Sequence, residues 1–273
     1  MRINIDEIDQ KERLDILLNI NGLAESREKA KKLILDDCVF VNNCLINKPS
    51  AKFSVKSEIT IKTDSKQYVG RGAYKLEKAI NTFNIKVQDT TAVDIGASTG
   101  GFSDFLIQHG AKKVYAIDVG HDQLHEKLKS NKKIINLENT NFRYIDSKLF
   151  QESIDIIVVD VSFISLSLII PKIVEISHLN TDIVVLIKPQ FEAGKNNIGK
   201  NGIVKDKKIH LSVLNNFNNC CLFNDIYVEN ITYSPIKGGN GNIEYLAHLK
   251  RGNISRFDNE KFKSIIRDAF VLL

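Results

Sequence analysis

The chain has 273 residues, 43% of them hydrophobic, and a formal net charge of +5. That is enough apolar chain for one medium domain with a smaller module attached, and no run of about 18 apolar residues offers a membrane span. The polar, acidic opening MRINIDEIDQKERLD is unlike a secretory or transit sequence, so the expected compartment is the cytoplasm; the mild basicity permits a polyanionic partner without establishing one.

In chain order, LDILLNI predicts a short helix with Leu14, Leu17 and Leu18 on one face. SREKAKKLIL predicts a second, capped by Ser26 and burying Ala30, Leu33 and Ile34. VFVN predicts a short strand, and FSVKSEITIK alternates as a strand through Phe53, Val55, Ile59 and Ile61. These make a compact α+β module over residues 1–62. The polar, glycine-bearing TDSKQYVGRG is then a linker over 63–72, and a second domain runs over 73–273. Within it the Ile/Val runs TAVDIG, KVYAIDVG, IINLENT, DIIVVDVS and DIVVLIKP are spaced by helical segments such as FSDFLIQHG and LSLIIPKIVEI. Continuous apolar runs of this kind mark buried parallel strands joined by crossover helices. NDIYVENITYSPIKGGNGNIEYLAHLK reads as two alternating runs around GGNG, an antiparallel hairpin at a sheet edge. In the tail, Phe262, Ile265, Ile266, Ala269 and Phe270 recur at helical spacing and should pack back on the sheet. The fold class is α/β: a Rossmann-like, mostly parallel sheet with an antiparallel edge hairpin, plus the small N-terminal module. Cys38, Cys44, Cys220 and Cys221 form no C-x-x-C pair and are expected as reduced thiols, with no metal.

The stretch DIGASTGGF, Asp94 to Phe102, joins a strand to a helix through a glycine-rich turn. A dinucleotide turn needs glycines at the first, third and sixth positions of its fingerprint. Gly96 and Gly101 fit, but the third position is Ser98, and the leading Asp94 would repel a pyrophosphate. The same residues fit D-x-G-x-(G/S)-x-G, the first motif of S-adenosylmethionine methyltransferases, through Asp94, Gly96, Ser98 and Gly100. A sulfonium cation without phosphates welcomes an acid there. The candidate cofactor residues are therefore Asp94, Gly96, Ala97, Ser98, Gly100, Gly101 and Phe102. Asp118, ending the second strand, can accept both ribose hydroxyls of an adenosine; that role serves either cofactor, and the turn discriminates. Asn141, after the third strand, is a candidate for the adenine side.

Four polar residues stand where apolar strands begin or end. Lys75 lies in RGAYKL just before the first helix of the second domain, Asp160 ends IIVVD, Lys188 ends IVVLIK, and Glu244 lies in the returning strand GNIEYL. Open α/β sheets bind ligands at the carboxyl ends of their strands, so Asp160 and Lys188 should face the crevice. Two lysines and two acids suit proton management at a weakly acidic hydroxyl. We expect Lys188 at the reacting centre, steadied by Asp160 and Glu244, with Lys75 orienting the substrate.

RGAYKL, DIGASTGGF, YAIDVG, VVDVSFISL, LIKPQFEAGK, GKNGIVKD and GNIEY together resemble the TlyA family, hemolysin-A-like ribosomal RNA 2′-O-methyltransferases with a catalytic domain of the FtsJ type. The resemblance covers essentially the whole chain. It implies a catalytic tetrad at Lys75, Asp160, Lys188 and Glu244, S-adenosylmethionine as cofactor, and a cytidine ribose of ribosomal RNA, in a subunit or assembly intermediate, as substrate. The N-terminal LDILLNINGLAESREKAKKLILDDCVFVN is similar to the RNA-binding module of ribosomal protein S-four type. It implies RNA contacts at Lys11, Arg13, Arg27 and Lys48. Asp37 and Cys38 stand where that module usually carries a glycine and a base, and Asn43 replaces a further glycine. A non-catalytic RNA-binding protein on a relict methyltransferase fold is one alternative, against which the intact tetrad speaks, and the family's older name raises another, a membrane-active hemolysin. The sequence offers it no span and no signal, and no stable membrane association or obligate protein partner is expected.

Overall fold

The computed structural model describes residues 10–35, 38–42, 44–61, 68–252, 254 and 256–273. Asp37, Asn43 and most of the expected linker lie outside them. The chain divides into two compact units, with the break between residues 67 and 68.

The N-terminal unit runs β1 (Lys11–Arg13), α1 (Leu14–Ile20), α2 (Arg27–Leu35), β2 (Val39–Val41), β3 (Cys44–Leu45), β4 (Lys52–Ser54) and β5 (Ile59–Ile61). Leu14, Leu18, Ala30, Ile34, Val39 and Val41 close its core, so the helical stripes read from the sequence are the ones buried. Ser26 Oγ accepts the amide of Lys29 at 3.2 Å, an N-cap. FSVKSEITIK differs from its reading as one alternating run. A turn divides it: β4 pairs antiparallel with β1, and β5 pairs with β2 in a separate three-stranded sheet. Val55, which the alternation would bury, is 45% exposed. Strand β1 carries no apolar signal and was not expected.

The second unit opens with Tyr68, whose ring lies 5.8 Å from that of Phe105. The Val69 amide donates to the buried Asp104 carboxylate at 2.9 Å. Its elements are α3 (Gly72–Phe83), β6 (Thr91–Ile95), α4 (Gly101–Gln108), β7 (Lys113–Ile117), α5 (Glu126–Lys129), β8 (Ile134–Leu137), β9 (Ile156–Val159), α6 (Ile170–Ile176), β10 (Asp182–Ile187), α7 (Pro189–Glu192), α8 (Lys207–Phe223), β11 (Ile226–Tyr233), β12 (Tyr245–Arg251) and α9 (Asn259–Leu272). The sheet order is β11-β12-β10-β9-β6-β7-β8. The strands from β10 to β8 are parallel, and β12 alone runs antiparallel, wedged between β10 and β11.

Both faces of this sheet are buried, which is why its strands read as unbroken apolar runs. In β9, Ile156 and Val158 face α3 and α4, while Ile157 and Val159 face the layer containing α6, α8 and α9. From the tail, Phe262, Ile266 and Ala269 join that second layer. Helix α8 was not read from the sequence, although Asp206 caps it and His210, Val213, Leu214, Phe217 and Cys221 give it a buried stripe. Its four asparagines dilute the pattern. The strand order reverses beside β6, so the chain diverges between β6 and β9, opening a crevice at their carboxyl ends.

Candidate active site

The crevice is shaped first by backbone. Gly96, at φ +84°, follows β6, and a Cβ there would lie 2.4 Å from the carbonyl oxygen of Asp160. Only glycine permits the strand ends of β6 and β9 to approach so closely. Ser98, the position lacking the third glycine, takes φ 48°. Its amide donates to Asp118 Oδ2 at 2.8 Å, and Gly120 donates to Asp118 Oδ1 at 2.7 Å. Asp118 thus holds the two turns on either side of a cavity of about 450 Å³ that Asn141 also lines. Asn141 itself caps a short 3₁₀ turn, accepting the amide of Arg143 at 3.2 Å.

A second cavity, about 210 Å³, lies against Gly96, Ala97, Ser98, Gly101 and Phe102 and reaches Asp94, Asp160 and Lys188. Asp94 is not at an open strand tip. It sits within β6 with no exposed surface, accepting the Ser103 hydroxyl at 2.7 Å, while its Oδ1 is buried with no hydrogen-bond partner. Burial, reinforced by Asp160 and Asp118, pushes its carboxyl up to about 7. Phe102 turns its ring into the apolar layer under α3. Gly100, at φ +93°, stands at the N-terminus of α4, which has no side-chain cap.

The four residues expected to act together arrive as two ion pairs. Lys188 Nζ lies 2.6 Å from Asp160 Oδ1 and donates to Ser162 Oγ at 2.9 Å. Lys75 Nζ donates to Glu244 Oε2 at 2.7 Å, both nearly buried, and Gln190 donates to Glu244 Oε1 at 3.3 Å. Two expectations change. Lys75 lies within α3, not before it, and Glu244 takes Lys75 as its partner, not Lys188. Glu244 arrives because β12 is antiparallel: Tyr245 pairs with Ile187, so the residues preceding β12 meet the carboxyl end of β10. A third cavity, about 620 Å³, contains Lys188, Gln190 and Glu244 in its wall. Lys188 therefore borders both this cavity and the one beside Asp94.

Sequence reasoning passed over several residues here. Ser162 borders all three cavities. Phe163 is 90% exposed with φ 63°, and its ring lies 4.9 Å from that of Phe191. A bulky residue held out of the core in a left-handed conformation is a strained choice that an apolar pattern cannot flag. Glu192 accepts from Ser165 Oγ at 2.7 Å and from the Leu166 amide at 2.8 Å, which ties α7 to the segment carrying Ser162 and Phe163. Burial raises its carboxyl. Asn242 accepts the Val204 amide at 3.0 Å and donates to the Gly202 carbonyl at 2.9 Å, fixing the far wall of the large cavity.

In the N-terminal unit Lys11 and Arg13 share one face of β1, Arg27 opens α2, and Lys48 is exposed in the loop after β3. Both arginines engage one acid. Arg13 donates through Nε and Nη2 to Asp15 at 2.9 and 3.0 Å, and Arg27 Nη2 donates to Asp15 at 3.1 Å.

Comparison with known proteins matches the description FtsJ-like methyltransferase over residues 68–251 and S4 domain over residues 12–59. Hemolysin A of Brachyspira hyodysenteriae is 45% identical over 239 residues, covering 87% of this chain and 99% of its own. The 16S/23S rRNA (cytidine-2′-O)-methyltransferase TlyA of Mycobacterium tuberculosis is 36% identical over 242 residues, covering 88% and 90%. A solved structure from Streptococcus thermophilus is 40% identical with a TM-score of 0.74, covering 97% of this chain and 98% of its own. With its cofactor-type turn, its paired lysines and acids and these relatives, the chain belongs to the TlyA family of FtsJ-like methyltransferases.

Proposed function

We propose that this protein methylates the ribose 2′-hydroxyl of a cytidine in ribosomal RNA, using S-adenosylmethionine. The observation that carries the reading is Lys188, which borders a cavity beside the cofactor-type turn on one side and a larger cavity on the other. Donor and acceptor can meet only at such a junction.

The crevice fits the cofactor in charge and shape. A buried carboxylate oxygen of Asp94 without a partner is a costly arrangement that a cationic ligand relieves. The uncapped N-terminus of α4 suits the carboxylate of an amino-acid end, and Asp118 suits a ribose. Bound there, the cofactor would supply a methyl group carried on a sulfonium, with the ribose oxygen as its acceptor. The chain's own residues do the rest. Lys188, held by Asp160 and Ser162, lines both cavities. Beside Asp160, it relays the hydroxyl proton to solvent as the O–C bond forms. The Lys75–Glu244 pair, with Gln190, shapes the acceptor side.

In this reading the N-terminal unit binds RNA through Lys11, Arg13, Arg27 and Lys48, and the second unit, from Tyr68 onward, carries the chemistry in the cytoplasm. A hemolysin would need another route into a bilayer, since among the described residues no helix is long and apolar enough to cross one. Mapping 2′-O-methyl groups on ribosomal RNA from cells with and without the gene tests the proposal. A cytidine methyl that disappears with the gene and returns with the wild-type chain, but not with Lys188→Ala, supports it; identical maps refute it.

A further inference from the structure

Residues 1–62 contain eleven lysines and arginines against ten aspartates and glutamates, so bulk charge alone gives the N-terminal unit little attraction for a polyanion. Placement must supply it. In the β1–β4 ribbon, Phe53 turns to the core, while the opposite face carries Lys11 and Arg13, with Lys52 directly across from Arg13. Like charges facing each other across strands repel. The arrangement is stabilised from beneath by Asp15, which has no exposed surface at all.

Asp15 is not a surface counter-ion. It grips Arg13 with both oxygens, in the fork-to-fork geometry that fixes a guanidinium plane, and it takes Arg27 from a different helix with the second oxygen. The hydrogen bonds from Arg13, then the one from Arg27, hold its carboxyl down to about 2, so it is ionised throughout the physiological range. Each guanidinium has five N–H donors, and Asp15 uses two of Arg13's and one of Arg27's. Both arginines keep exposed surface, 36% and 49% of their side chains.

We propose that Asp15 is a positioning residue, which locks Arg13 and Arg27 side by side as a paired phosphate clamp, with Lys11 and Lys52 extending the basic face along the strand ribbon. The proposal rests on the reading that this unit binds RNA. It adds Lys52 to the contacts and assigns an acid a positive role in binding a polyanion.

That last point gives the test its sign. Removing a negative charge from an RNA-facing surface should tighten binding if only long-range electrostatics act. If Asp15 orders the clamp, Asp15→Asn in the full-length protein should instead weaken binding roughly tenfold and flatten the dependence of log K on log salt by up to about two units. Binding is measured on ribosomal subunits purified from cells lacking the gene, across a KCl series at fixed Mg²⁺, with thermal melting of each variant alongside. A folded Asp15→Asn protein that binds as tightly as wild type, or more tightly, overturns the proposal.

The double variant Arg13→Lys/Arg27→Lys keeps both charges and tests the same clamp without removing the buried acid. Weakened binding is expected because lysine lacks the planar fork; unchanged affinity and salt slope overturn the clamp even if Asp15→Asn does not fold. Arg13→Ala/Arg27→Ala separates the two levels. If that variant binds like wild type, RNA recognition by this unit fails and the proposal with it. If it binds poorly, and adding Asp15→Asn weakens it no further, the effect of Asp15 runs through the arginines.

Discussion

Replacing Asp94 by asparagine should remove a pH dependence of stability and lower cofactor affinity at the same time. The carboxyl is fully buried and pushed up to about 7 from an ordinary 3.8, with burial as the first cause and Asp160 and Asp118 as further ones. A folded-state pKa above the unfolded value means that the folded protein holds its proton over a range where the unfolded chain has lost it. The associated stability is fully present below about 3.8 and is lost as pH rises through about 7. Between pH 5 and pH 8 the wild type therefore loses roughly two pH units' worth of linkage, at about 1.36 kcal/mol each, or about 3 kcal/mol. Asparagine does not titrate, still accepts from Ser103, and keeps the shape. Its amide nitrogen inherits the unpartnered position of Oδ1, a penalty of about 1–3 kcal/mol that is the same at both pH values and cancels in the difference. Urea denaturation of wild type and Asp94→Asn at pH 5 and pH 8 measures that difference directly, and calorimetry with S-adenosylmethionine gives the affinity. The reasoning is refuted if the variant gains no stability relative to wild type between the two pH values.

Other outcomes are equally specific. Lys188→Ala should abolish methyl transfer, a loss of at least about 10²-fold, with little change in cofactor affinity; Lys188→Arg should fail too, because a guanidinium does not give up its proton, and single-turnover assays on ribosomal RNA check both. Glu244→Ala leaves the Lys75 ammonium buried without its partner and should cost about 3–5 kcal/mol in denaturation experiments, whereas Lys75→Met/Glu244→Leu should cost much less. Gly96→Ala drives a methyl group into the Asp160 carbonyl from a left-handed backbone, so about 2 kcal/mol or more of stability and most cofactor binding should disappear, as read by melting and calorimetry. Lys48→Ala should lower the salt slope of RNA binding by about one.

The sheet was legible because both of its faces are buried. Strands such as DIIVVDVS and DIVVLIKP carry no alternation to confuse, and the glycine turn marks where the first of them ends. The tetrad positions were legible as polar residues at strand ends, but their pairing was not. Which acid meets which lysine depends on α3 folding over the sheet and on β12 entering antiparallel, and neither leaves a local pattern. Asp94 shows the same limit: an acid before a glycine turn announces a site, but its depth within β6 is set by Ser103 and α4 packing over it. Phe163 and Val55 fail in opposite senses. One is an aromatic ring that the fold holds in solvent, and the other an alternation that a turn interrupts. In the N-terminal unit, β1 went unread because KER has no apolar residue; its partner strand and Asp15 define it.

The wedge of β12 between β10 and β11 has a consequence in time. A chain emerging from the ribosome has already made Lys75, Asp160 and Lys188 when β10 is complete, and it can lay down the parallel strands around the crevice. The acid that neutralises Lys75 arrives only when the chain turns back and inserts its last strand, an event that closes a long loop and is correspondingly late. Until then Lys75 is without the carboxylate it pairs with in the folded domain. The nascent enzyme therefore completes its folding as its last step toward competence, and loss of the C-terminal hairpin to a protease removes Glu244 while leaving the turn at Gly96 in place.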